Sequence, residues 1–151
     1  HKPSHHRKKY AFESVDPLYV FGHGLSYSKF VYSDLKIAQE GNTKDSLIKL
    51  SVNLSNESEV DGEEVVQVYF RDEFSSITRP VKELVTYQRV FVESGQNIPV
   101  EFSIPLEALS FFDADMKTVV EAGDFTFMVG GSSADSNLIR ASHLVESDFI
   151  Y

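Results

Sequence analysis

The sequence predicts an all-β fold: a two-sheet antiparallel sandwich over residues 30–151, preceded by an extended arm over residues 1–29. Three observations predict it. Apolar and polar residues alternate with a period of two in one segment after another. Clusters of Gly, Asn, Asp, Ser and Pro separate these short segments. Beyond a single turn near residue 105, no stretch carries the periodicity of a helix.

The segments follow in order. Segment 30–38 alternates weakly, in one of two phases: Val31, Ser33 and Leu35, or Phe30, Tyr32 and Leu35. Segment 47–55 is the cleanest. Ile48, Leu50, Val52 and Leu54 share one face, and Lys49, Ser51, Asn53 and Ser55 the other, as in a half-buried antiparallel strand. Val66, Val68 and Phe70 alternate with Gln67, Tyr69 and Arg71. Segment 82–92 offers Leu84, Tyr87, Val90 and Val92 as core residues, and its change of step near Thr86 predicts a bulge. Val100, Phe102 and Ile104 alternate up to Pro105, which can open one helical turn through Leu109. Phe125, Phe127 and Val129 alternate with Thr126 and Met128 before Gly130 and Gly131, and a late strand surrounds His143. Turn chemistry lies at 40–42, 56–62, 73–80, 93–97, 121–124 and 132–137. Seven or so strands in two sheets follow.

The arm does not share this rhythm. It carries Pro3, Pro17, Gly22 and Gly24, then an apolar string holding Leu18, Tyr19, Phe21, Leu25 and Tyr27. An extended ribbon cannot bury its own side chains, so these residues are expected to pack on the sandwich, on a neighbouring domain, or on both.

Charge is uneven. Fourteen basic and twenty-three acidic residues give −9 overall. Residues 1–10 hold four of the basic residues (Lys2, Arg7, Lys8, Lys9) and no acidic ones, which leaves the remainder at −13. An acidic body repels phosphate backbones, so no nucleic-acid partner is expected. The cluster of His5, His6, Arg7, Lys8 and Lys9 is too short for a specific nucleic-acid or metal site, and a solvated connector is the preferred reading. No run approaches the ~20 apolar residues of a membrane span, so no membrane partner is expected. With no Cys, thiol catalysis and Cys-based zinc sites are excluded, while the compartment stays open. The first residue is His1 and no signal peptide is legible, so a processed chain or a fragment is expected.

Residues 17–27, followed by Phe30, Tyr32 and Ser33, resemble the "PLYPFGYGLSYTxFxYS" signature. That string opens the C-terminal fibronectin type III-like domain of glycoside hydrolase family 3, the β-glucosidases and β-xylosidases. Further strings follow in the same order. Residues 62–69 resemble "GxEVVQLY", residues 79–84 with Tyr87 resemble "RPxKELxGF", and residues 119–125 and 129–133 resemble "VVEPGxF…VGxSS". His1-Lys2-Pro3-Ser4 is similar to the "HKPS" preceding the domain in bacterial members. Val20, His23, Thr86 and Ala122 depart from the usual Pro, Tyr, Gly and Pro, which affects only the local loop geometry and the exact contacts of His23. The Cys pair and core Trp of antibody-type immunoglobulin domains are absent. A fibronectin type III-like sandwich requires neither.

The resemblance implies a non-catalytic domain. The family's retaining reaction needs two carboxyl groups ~5–5.5 Å apart, and in the family both lie upstream of this domain. No catalytic residue, cofactor or metal is therefore expected here. The implied partners are the upstream barrel and α/β domains of the same glycosidase and, through it, an oligo- or polysaccharide substrate. Leu18, Tyr19, Phe21, His23, Leu25 and Tyr27 are the expected domain-interface residues. Phe74, Ser75 and Arg79 are candidates for a loop near the substrate entrance. A periplasmic or secreted location is implied.

Other residues invite functional readings. Asp113 and Asp115 could begin a calcium loop, but the third acidic residue and the Gly are missing, and a solvated turn is preferred. Asp72 and Glu73 beside Arg71 read better as a polar rim than as a carboxylate pair. His23, flanked by two glycines, and His143 are read as packed or hydrogen-bonded residues. Ser132 and Ser133 have no base at a recognisable spacing. Asn53 and Asn56 both match the N-glycosylation pattern, which matters only in a eukaryotic secretory route. Two rivals remain. One is an independent carbohydrate-binding or adhesive module using Tyr10, Phe12, Tyr19, Phe21 and Tyr27. The other is a chain that hydrolyses glycosides by itself, for which no turnover is expected.

Overall fold

The computed structural model describes residues 28–78 and 82–151. The strands are β1 (Phe30–Glu40), β2 (Leu47–Asn56), β3 (Gly62–Asp72), β4 (Glu83–Val92), β5 (Asn97–Pro105), β6 (Phe111–Phe112), β7 (Thr118–Val120), β8 (Gly123–Gly130), β9 (Ile139–Val145) and β10 (Phe149–Ile150). Seven of them make the two faces of a sandwich: a three-stranded sheet ordered β1-β2-β5 and a four-stranded sheet ordered β4-β3-β8-β9. A third small sheet, β10-β7-β6, lies beyond the seven strands predicted. All pairings are antiparallel.

Alternation builds the core. Ile48, Leu50, Val52 and Leu54 of β2, with Val100, Phe102 and Ile104 of β5, face Val66, Val68 and Phe70 of β3 and Phe125, Phe127 and Val129 of β8. Phe70 sits with its ring centroid 6.2 Å from that of Phe125 and 6.5 Å from that of Phe127, in the tilted arrangement aromatic pairs favour. Fully burying side chains of this kind contributes roughly 1.5–3 kcal/mol each. The 3₁₀ turn Leu106–Leu109 follows Pro105 and plugs one end with the buried Leu106 and Leu109. A second 3₁₀ turn, Asp135–Asn137, has no counterpart in the sequence pattern; it lies inside the loop between β8 and β9.

Two bulges account for the irregular segments. In β1 the register shifts between Ser33 and Lys36, where Asp34 has φ 54°. Phe30 and Tyr32 before the bulge, and Leu35 and Ile37 after it, therefore reach the core together, which selects the second of the two phases. In β4, Val68 pairs with Thr86 but Tyr69 with Leu84, so Val85 is the extra residue. This bulge corrects the expected core of that strand. Val85, Val90 and Val92 pack inward, whereas Leu84 and Tyr87 are exposed.

The outer face of the four-stranded sheet holds a second, smaller core that alternation does not reveal. Tyr69, Met128 and Leu138 are buried there, with Gln67. The loop after Gly130 folds back over them. Gln67 Nε2 donates to the Gly131 carbonyl at 2.9 Å, and Tyr69 donates its hydroxyl hydrogen to Gln67 Oε1. Lys82 secures the loop, donating to the Ser133 carbonyl and to Asp135 Oδ1, the latter at 2.7 Å. Gly130 permits this close return, since a Cβ there would meet the Asn137 carbonyl oxygen at 2.6 Å.

Candidate functional site

The predicted interface residues Leu18, Tyr19, Phe21, His23, Leu25 and Tyr27 lie outside the described residues, as does Arg79 of the predicted entrance loop. Phe74 and Ser75 are described. Their loop leaves the end of β3 on a firm base. Glu73 N–H donates to the Asp124 carbonyl at 3.1 Å, Phe74 N–H to Asp72 Oδ1 at 3.1 Å, and Ser76 N–H to Glu121 Oε2 at 2.8 Å. Phe74 itself, two residues after the end of β3, is 77% exposed, and Ser75 is half-buried. Held at Glu73, Phe74 and Ser76, this stretch turns an aromatic ring to solvent.

The acidic residues near this loop are structurally engaged. Glu73 Oε1 accepts from Thr126 Oγ1 and pairs with Arg71 Nη2 at 2.9 Å. The Thr126 hydroxyl, with Arg71 behind it, holds the Glu73 carboxyl below the usual carboxylate range. Asp113 caps its own turn, its Oδ1 accepting the N–H groups of Asp115 and Lys117 at 2.9 Å each. Among the described residues no group of three or more His, Asp or Glu side chains is placed to hold a metal ion. Ser132 is buried and accepts the Ala134 N–H, while Ser133 offers its carbonyl to Lys82. His143 lies on β9 with Nε2 3.0 Å from Gln39 Oε1 of β1, bridging the two sheets along one side.

Asn56 is buried, its Nδ2 donating to the carbonyls of Val60 and Val92. It is thereby withdrawn from any modifying enzyme in the folded chain. Asn53 donates to Asp34 Oδ2 at 2.9 Å on the outer face of the three-stranded sheet. That face has a shallow depression bordered by Lys36, Glu40, Lys49, Ser51, Glu101 and Ser103. Lys49 is already engaged there by Ser103 at 2.7 Å and by Glu40 at 3.8 Å. Its border lacks the exposed aromatic platform on which sugar rings stack.

Two features escaped the sequence. One is a buried polar contact between the sheets. Tyr32 of β1 has its hydroxyl inside without a well-formed hydrogen bond, and burial together with the nearby Glu64 carboxylate holds it protonated. Glu64 of β3 accepts the Val65 N–H at 2.9 Å, and burial pushes its carboxyl above the usual range. The other is an apolar row on the outward side of β4: Leu84 at 39% exposure, Tyr87 at 66% and Phe91 at 60%. A signal for Phe91 was present. Val90 and Val92 share the inward phase, which turns Phe91 outward.

These elements define a class. Seven antiparallel strands divided as three and four, with a core drawn from both sheets, make a fibronectin type III-like sandwich, and residues 64–133 match the model of the family described as "Fibronectin type III-like domain". The likeness is more specific than the fold. The chain is 38% identical over 127 residues to thermostable β-glucosidase B of Acetivibrio thermocellus, covering 83% of this chain and 17% of that protein. It is 36% identical over 138 residues to a β-xylosidase of Formosa agariphila, covering 91% of this chain and 19% of that one. Among solved structures, β-glucosidase 3B from Thermotoga neapolitana superposes with a TM-score of 0.81 at 30% identity, over 90% of this chain and 18% of that one. The chain belongs to the fibronectin type III-like domains of glycoside hydrolase family 3 β-glucosidases and β-xylosidases. It spans less than a fifth of the length of these relatives.

Proposed function

We propose that this chain is the non-catalytic C-terminal domain of a β-glucosidase- or β-xylosidase-type hydrolase, where it braces the catalytic domains of the same polypeptide. One observation carries this reading: the chain aligns over most of its length with under a fifth of enzymes named for cleaving β-glucosides or β-xylosides. The described carboxylates add support. Glu73 and Asp113 are engaged in holding loops and turns.

Bracing has a physical route to rate. A displacement of about 1 Å in a catalytic group can cost on the order of 10²-fold, so a domain that fixes the relative position of two others affects turnover without touching substrate. In this reading Leu18, Tyr19, Phe21, His23, Leu25 and Tyr27 fill the seam between the sandwich and its neighbours. Phe74, Ser75 and Arg79 stand near the substrate entrance, a role favoured by the exposed Phe74 ring on its anchored loop. The reading includes a periplasmic or secreted enzyme, because the relatives include a periplasmic β-glucosidase of Salmonella typhimurium, 35% identical over 88% of this chain. The test is an assay with chromogenic β-glucoside and β-xyloside. The isolated chain gives no turnover, and Phe74→Ala in the whole enzyme changes kinetics on oligosaccharides more than on a monosaccharide glycoside. Turnover by the pure chain would overturn the assignment, and unchanged oligosaccharide kinetics would remove the loop from it.

A further inference from the structure

We infer that Glu64 is a pH-operated latch on the loop between β8 and β9: protonated, it keeps residues 131–138 seated against the sandwich, and ionised, it releases them. The latch works inside the sandwich and is independent of the bracing role. The inward side of β3 runs through Glu64, Val66, Val68 and Phe70, so a carboxyl stands where the period of two calls for an apolar group. That carboxyl reaches the first residue of the loop: a Cβ on Gly131 would lie 2.9 Å from Oε2 and 3.0 Å from Oε1. Glu64 thus fills the space that a side chain at 131 would take. From the outward side of β3, Gln67 Nε2 donates to the Gly131 carbonyl at 2.9 Å. Gly131 is gripped by two residues of one strand, and one of the two titrates.

The surroundings suit the neutral acid. Ionised, Glu64 keeps the Val65 N–H, 2.9 Å from Oε1, and the Tyr32 hydroxyl of β1, which is buried nearby without a well-formed hydrogen bond. Among the described residues no cation pairs with it. On the loop, Asp135 holds Lys82 and Arg140; on β4, Arg89 turns to Glu63; on β9, His143 bonds Gln39, at the far end of β1 from Tyr32. Burial accordingly raises the Glu64 carboxyl above its usual range and outweighs the Val65 and Tyr32 hydrogen bonds.

A carboxylate formed there gains by reaching water, and the element that yields is the one held least. β1 and β4 are fixed by ladders, with Tyr32 opposite Leu54 and Val90 opposite Glu64 itself. The loop hangs instead on side chains, Gln67 and Lys82, and on its own 3₁₀ turn. Such segments open at a lower free energy than the strands of a sheet. Its departure lifts Leu138 from Tyr69 and Met128 and frees Lys82, just before β4.

Amide hydrogen exchange of the 151-residue chain tests the latch, with protection taken relative to the intrinsic rate at each pH. The reporters are Asn137 and Leu138, whose N–H groups donate to the carbonyls of Ala134 and Asp135 inside the loop. Their protection should fall roughly tenfold between about pH 4 and pH 8, with a midpoint matching the titration of the Glu64 carboxyl followed by carbon NMR. In Glu64→Gln, which keeps an acceptor for the Val65 N–H, the protection should stay level. His143 is present in both chains and cannot produce the difference. The amides of β3 and β8 should hold their protection throughout. An equal fall in both chains, no fall in either, or a midpoint apart from that of the Glu64 carboxyl would overturn the latch. A fall shared in step by β3 and β8 would also overturn it, since the pH dependence would then belong to unfolding of the whole sandwich.

Discussion

The side-chain amide of Asn56 donates to the Val92 carbonyl at 3.0 Å, carrying a hydrogen bond from β2 of the three-stranded sheet to β4 of the four-stranded sheet. The same nitrogen donates to the Val60 carbonyl at 2.9 Å, and Oδ1 accepts the Ser58 N–H at 3.0 Å and its hydroxyl. Every polar atom of this buried side chain is engaged, and between them they hold the β2–β3 loop to the end of β4.

Asn56→Ala takes a partner from the Val92 carbonyl and from the Ser58 amide, while the Val60 carbonyl keeps the Ser58 hydroxyl at 3.0 Å. At roughly 1–3 kcal/mol for each buried group left unsatisfied, with partial rescue by water at the loop, a loss of about 3 kcal/mol is expected. Urea unfolding of the isolated chain measures it, and a loss under about 1 kcal/mol would show that the loop is held by other contacts.

The return of the β8–β9 loop depends on Gly130. A Cβ at this position would lie within 3.0 Å of both the Asn137 carbonyl oxygen and Leu138 Cδ2, so Gly130→Ala forces the loop off the outer face. A cost of about 1–3 kcal/mol follows from overpacking of this kind. Gly95→Ala tests a different mechanism, since its Cβ would meet no atom within 4 Å but φ is +74°. Hydrogen exchange tells them apart: Gly130→Ala deprotects the amides of the 131–138 loop, while Gly95→Ala affects the β4–β5 turn.

Glu64 makes the fold lose stability as pH rises through the range of its carboxyl rather than as pH falls. Burial raises its carboxyl in the folded chain, against the opposing pull of the Val65 N–H. A folded value above the unfolded one means that this group's contribution is full below the unfolded carboxylate range and is lost as pH rises through the folded value. Glu64→Gln keeps an acceptor for the Val65 N–H and stays neutral throughout. It should therefore raise the melting temperature near pH 8 and leave it unchanged near pH 3. A melting temperature lowered near pH 8 would show that the charged form is the one the fold prefers.

His143 acts in the opposite direction. Burial lowers its affinity for a proton in the folded chain. Above the ordinary value of 6.5 both states are neutral and nothing is lost; as pH falls below it the unfolded chain takes the proton first, so stability declines until the folded value is reached. His143→Gln can keep a hydrogen bond to Gln39 and should flatten the slope of unfolding free energy between about pH 7 and pH 5. An unchanged slope would place the titrating group elsewhere.

The strands that obey a strict period of two, β2, β5 and β8, were legible because none of them carries an extra residue of its own, so their side chains alternate without a break. β1 and β4 were not, because a single extra residue, at Asp34 in one and Val85 in the other, reverses which side chains face inward. The second small core was hidden for another reason. Tyr69 and Met128 occupy outward positions of their strands, and only the returning loop, a tertiary feature, buries them. β6, β7 and β10 are two or three residues long, too short to show any alternation. At the candidate surfaces, the exposed loop at Phe74 could be read from its composition. Asn56 could not, because the pattern it belongs to also reads as a modification sequence, and burial alone decides between the two.

In the proposed role the sandwich steadies an enzyme it does not chemically serve. Thermal inactivation of the full-length hydrolase, followed beside the same polypeptide lacking residues 28–151, measures that role. The shortened form should lose activity with a half-life lower by roughly tenfold or more, and its kcat should be lower at temperatures where both forms remain folded. Equal half-lives and equal kcat would rule the bracing role out.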